Sequence, residues 1–73
     1  MMTRKYLLLT KEEQQELRRM RKEAGISIPK MAEYMHTYPS KIQQLESEKK
    51  GVDPDFLEKV KKRYRLLIKY KDI

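Results

Sequence analysis

The chain contains no cysteine, so neither a disulfide nor a thiolate-bound zinc can reinforce its core. Its single histidine, His36, cannot assemble a metal site by itself, and no metal is expected. Long apolar runs are also missing. The longest is Tyr6 to Leu9, against the roughly 20 residues needed to span a bilayer. The N-terminus has neither an apolar signal core nor a cleavage pattern, so the expectation is a soluble, cytoplasmic protein with no membrane partner. No nucleophile stands beside a base, no carboxylate pair occupies an apolar stretch, and no glycine-rich loop could cradle a phosphate. An enzyme is therefore not expected, nor a cofactor. With 73 residues there is material for one domain, too small for a large catalytic cleft.

What the chain does have is charge. Lys and Arg number 18 against 11 Asp and Glu, a formal net charge of +7 and a pI near 9.7. Such a field favours polyanions, but it fixes only the sign of the partner: nucleic acid, an anionic membrane surface and an acidic protein all satisfy it. Spacing must choose among them.

Residues 1–9, "MMTRKYLLL", carry no helix cap and read as an N-terminal arm or short extended segment, followed by a domain over residues 10–73. Thr10 followed by Glu13 fits a capping box and starts helix 1, whose inward stripe is Leu17, Met20 and Ala24 and whose stop is Gly25. Ser27 caps helix 2, with Pro29 in its first turn and Ile28, Met31, Ala32 and Met35 facing inward. After a break at His36 to Tyr38, Pro39 opens helix 3, with Ile42 and Leu45 inward and Gly51 as the expected stop. Asp53 and Pro54 then cap a further helix with Phe56, Leu57, Val60, Tyr64 and Leu67 on one side, continuing to about residue 70. The fold class expected is all-α, a compact bundle of four to five helices. The methionines are read as core filler and His36 as a turn residue.

Helices 2 and 3 are each about two turns long and are joined by a turn of about three residues, the length pattern of a helix-turn-helix. In such a unit the second helix presents its N-terminal end to base edges in the major groove. With Ile42 and Leu45 turned inward, Pro39, Ser40, Gln43 and Gln44 are left to project outward.

From "LRRMRKEAGISI" to "LESEKKG", residues 17–51, the sequence resembles the phage repressor and Cro type of helix-turn-helix (lambda repressor-like), and "DPDFLEKVKKRY" is similar to that family's following helix. The resemblance is carried by Leu17, Arg18, Arg21, Gly25, Ala32, Ile42, Leu45 and Glu46 in order. It implies base contacts from Tyr38, Pro39, Ser40, Gln43 and Gln44, a partly buried ion pair between Arg21 and Glu46, and a homodimer on a palindromic operator. A glutamine at position 44 suits adenine, whose major-groove edge offers a donor and an acceptor together. The chain departs from the pattern at Ile28, where the family usually has glutamine, and at His36 and Glu48, where it usually has glycine. Glu48 in place of glycine would let helix 3 run on toward Lys50. Only nine residues follow Tyr64, so a fifth helix would be shortened or merged with the fourth.

The function expected is that of a sequence-specific double-stranded DNA-binding regulator, a repressor acting by operator occlusion, since this length leaves no room for an effector domain. Arg18, Ser27, Lys30, Lys41, Lys49 and Lys50 are the expected phosphate contacts, with Arg4 and Lys5 as an arm along the backbone. Leu66, Leu67, Ile68 and Tyr70 are the expected dimer contacts. The competing expectation is a protein-binding module of antitoxin, anti-repressor or adaptor type, using an apolar surface of Tyr6 to Leu9 with Leu66 to Ile68.

Overall fold

A computed structural model describes residues 6–47, 49 and 51–71. The expectations for Arg4, Lys5 and Lys50, and for Glu48 in place of glycine, lie outside the described residues. Four helices follow one another: α1 (Lys11–Ala24), α2 (Ile28–Tyr34), α3 (Pro39–Ser47) and α4 (Pro54–Lys69). No fifth helix occurs among the described residues, because α4 runs unbroken to Lys69 and absorbs the sequence that would have formed it.

Local chemistry sets each start. Thr10 and Glu13 form a reciprocal capping box: the Glu13 N–H donates to Thr10 Oγ1 and the Thr10 N–H to Glu13 Oε1, both at 3.1 Å. The Lys30 N–H donates to Ser27 Oγ at the head of α2, and the Asp55 N–H to Asp53 Oδ1 at the head of α4. Pro29 and Pro54 occupy first-turn positions, where a missing N–H costs nothing.

The ends of α1 and α2 repeat one device. After α1, Gly25 takes the left-handed conformation (φ 69°), its N–H donates to the Lys22 carbonyl and the next N–H, of Ile26, to that of Arg21. After α2, His36 takes the same conformation (φ 54°), its N–H donates to the Glu33 carbonyl and that of Thr37 to Ala32. Both are Schellman closures, which normally place glycine at the left-handed position. His36 therefore occupies a glycine's place in the turn that sets the angle between α2 and α3.

The core draws on every helix. Leu17 and Met20 come from α1, Met31 and Ala32 from α2, Ile42 and Leu45 from α3, and Leu57, Val60 and Tyr64 from α4, with Val52 added from the α3–α4 connection. α1 packs on both α3 and α4, while α2 packs on α3. Gln14 is also buried, beside this apolar stripe.

Two sequence expectations need correction. The described helix α3 ends at Ser47, not at Gly51. Gly51 serves another purpose: a Cβ there would lie 2.8 Å from Tyr6 Cβ, so a side chain is excluded by packing. That packing belongs to an antiparallel bridge in which Leu7 and Val52 exchange two backbone hydrogen bonds of 2.8 Å. The second concerns only the exposure on which the expected dimer contacts rested. Leu67 and Ile68 are half-buried against the chain's own core, because α4 turns that side toward α1, leaving only Leu66 and Tyr70 exposed.

Candidate nucleic-acid interface

The orientation of α3 follows from two side chains. Ile42 and Leu45 are fully sequestered, which leaves Ser40, Lys41 and Gln43 on the exposed side and Gln44 half-buried at its margin. Pro39 is exposed at the N-terminal end of the helix. Tyr38 precedes it and is 76% exposed, so its ring does not cover the edge of the core. Its carbonyl accepts from the Lys41 N–H at 2.9 Å and closes the first turn. Tyr38, Pro39, Ser40, Gln43 and Gln44 thus form one polar, accessible surface at the start of α3.

The other end of α3 is held by a buried ionic cluster. The Arg21 guanidinium donates from Nε to Glu46 Oε2 at 2.8 Å and from Nη2 to Oε1 at 3.3 Å. Its Nη1 donates to the Ile26 carbonyl at 3.1 Å. One side chain therefore ties α1 to the α1–α2 turn and to the last turn of α3. The Glu46 side chain is 3% exposed and Arg21 17%, so the pair is well screened from water. Arg18 stands 3.7 Å from the same carboxylate and remains half-exposed. Tyr64 lies beneath: burial pushes its phenol well above the usual tyrosine range, the Glu46 charge adds to this, and Arg21 opposes it.

The expected phosphate contacts are exposed but are not equivalent. Lys30 Nζ lies 3.3 Å from the Glu33 carboxylate and 5.6 Å from the Tyr34 ring centroid, so part of its charge is already answered. Lys41 Nζ lies 5.5 Å from the Phe56 ring centroid, and Lys49 is exposed in the connection after α3. The Ser27 oxygen accepts the cap bond and its O–H remains a donor.

A shallow cavity of about 260 Å³ between α1 and the end of α3 brings Lys11, Gln14, Gln15, Arg18, Glu46 and Ser47 together. Of these, only Arg18 and Glu46 are singled out by the sequence, not Lys11, Gln14, Gln15 or Ser47. The signal was present, since Lys11, Gln15 and Arg18 recur at four and three residues on one face of α1. Among the described residues no group of three or more His, Cys, Asp or Glu side chains could hold a metal ion. No helix is long and apolar enough to cross a membrane. No family model, curated protein or solved structure matches the chain.

Proposed function

We propose that this chain is a sequence-specific double-stranded DNA-binding protein in which α2, the His36 turn and α3 act as a helix-turn-helix of the phage repressor and Cro type. The observation that carries the reading is the face of α3: with Ile42 and Leu45 buried, Ser40 and Gln43 are exposed and Gln44 half-exposed at their margin, beside an exposed Tyr38. Hydroxyl and amide groups at that position are suited to hydrogen-bonding base edges. The Arg21–Glu46 bonds support it by holding the far end of α3 rigid, and the +7 charge supplies the salt-sensitive attraction to phosphate.

In this mechanism α3 enters the major groove, its first turn reads bases, and Arg18, Ser27, Lys30, Lys41 and Lys49 fix the register on the backbone. One α3 reads only a half-site, so two copies occupy one operator about one helical turn apart and repress by occlusion. The test is selection of a randomised duplex pool, followed by titration of the best sequence across a salt series. An enriched inverted repeat, preferred over scrambled DNA and weakened steeply by salt, is the expected result. Salt-sensitive binding with no enriched motif would overturn sequence reading and leave charge as the whole interaction.

A further inference from the structure

We infer that the open groove between the C-terminal end of α2 and the outer face of α4 is a docking site for an acidic peptide segment of another protein, one carrying apolar side chains among its carboxylates. The groove has a volume of about 420 Å³. Its lining has an apolar part, Met35, Leu66 and the Tyr34 ring, which we call the floor, and a cationic part, Lys59, Lys62 and Arg63, which we call the rim, with His36 completing it. None of the α3 residues assigned to base contact lines it, and the inference does not rest on the DNA-binding reading.

The fold creates both features. α2 packs closely on α3, whereas the described backbones of α2 and α4 stay further apart and meet only through side chains. Tyr34 and Leu66 consequently remain 38% and 40% exposed. The Arg63 guanidinium reaches toward α2 and sits 5.6 Å from the Tyr34 ring centroid. Charge is one-sided as well. From Lys59 to Lys71 the chain has seven cations and no carboxylate. Unlike Lys30, which has Glu33, the three rim cations have no ion-pair partner among the described residues.

Charge complementarity selects the occupant. A second copy placed here would set Lys59, Lys62 and Arg63 against the same three cations, and like charges brought together across an interface oppose it. A duplex would use the rim and leave the apolar floor without a partner. An anionic bilayer wants apolar groups on a protruding surface that can enter the acyl boundary, whereas Met35 and Leu66 line a groove. An acidic segment with apolar side chains one helical turn apart satisfies rim and floor together.

The test is fluorescence-anisotropy titration of the full chain with a labelled glutamate-rich peptide carrying Leu and Phe one helical turn apart. A control peptide has Ser at both positions. Tight binding of the first peptide is expected, with losses of at least ~10-fold for the Ser control and for Lys59→Glu combined with Arg63→Glu, since charge pairs and buried anchors both contribute. Lys22→Glu combined with Arg65→Glu makes the same charge change away from the groove and should lose much less. Circular dichroism verifies that each variant folds. Absence of peptide binding, equal binding of the two peptides, or equal loss in the two variants would each overturn the proposal. So would groove-dependent binding of phosphatidylserine vesicles, or groove-dependent self-association in sedimentation, without peptide binding. The duplex selected above, titrated in parallel, separates this result from the DNA reading, because the two can fail independently.

Discussion

Arg21 of α1 and Glu46 of α3 are joined by two hydrogen bonds across an interface that water scarcely reaches. A carboxylate this enclosed depends on its partner, so Arg21→Ala should destabilise the fold by about 3 kcal/mol, the scale of breaking one side of a buried pair. The residual contact with Arg18 keeps the loss toward the lower end. Arg19→Ala removes two exposed pairs, to Glu16 and Glu23, and should cost much less, although Arg19 makes as many side-chain hydrogen bonds as Arg21. Urea denaturation of both variants measures the contrast, and equal losses would refute it.

On the opposite side of α3, Ser40→Ala combined with Gln44→Ala removes side-chain polar groups that make no hydrogen bond or ion pair among the described residues and should leave the thermal midpoint within a few degrees of wild type. Its effect should fall on recognition. The preference for the selected duplex over scrambled DNA should drop by about 1–3 kcal/mol for the lost glutamine–base pair, while non-specific affinity stays. Competition titrations at fixed salt read the two quantities separately.

Phosphate contacts should behave differently. Lys49→Ala and Arg18→Ala should weaken binding to selected and scrambled duplexes alike, and each should reduce the slope of log affinity against log salt by about 0.9. A change in sequence preference would instead place those side chains at bases.

His36 bears a left-handed conformation that side chains other than glycine adopt at a cost of about 1 kcal/mol or more. His36→Gly should therefore raise stability, by about 0.5 kcal/mol once the greater freedom of the unfolded glycine is counted. His36→Val should lower it by more than about 1 kcal/mol, because branching at Cβ disfavours that conformation most strongly. Thermal unfolding of the pair checks the sign.

Tyr64 predicts the alkaline limit. Its folded pKa is raised above the unfolded value of about 10, so below pH 10 both states keep the proton and its contribution is fully present. As pH rises past that point the unfolded chain releases the proton first, and stability is lost progressively. Tyr64→Phe should flatten this decline. Glu13 acts in the opposite range: its bonds with Thr10 hold its carboxyl below the usual value, so stability present near neutrality falls as acid protonates it.

The helices were legible because their boundaries are written locally. Thr10 with Glu13, Gly25, Ser27 with Pro29, and Asp53 with Pro54 each combine a cap or stop with the residue types that satisfy free backbone groups. The inward choice of Ile42 and Leu45, and with it the exposed face of α3, follows from helical spacing alone. What escaped depends on distant segments. Gly51 reads as a helix stop, but the space it leaves is taken by Tyr6. Nothing in the neighbourhood of Leu67 and Ile68 distinguishes a surface for another copy from a surface for α1 and the core. Gln14 is buried although its residue type predicts exposure. The groove beside α4 arises from the wide backbone separation of α2 and α4, which no single helix encodes.

The Leu7–Val52 bridge joins the segment before α1 to the connection before α4 through two backbone hydrogen bonds among the described residues. Closing a long loop for so small a return places it last in assembly and first in opening. The amides of Leu7 and Val52 should thus exchange with deuterated solvent while the interior of α1 remains protected, so the fold has a latch that can be undone without melting the bundle. Lys49, in the connection after α3, lies three residues before Val52, and an undone latch would loosen the stretch that carries this proposed phosphate contact.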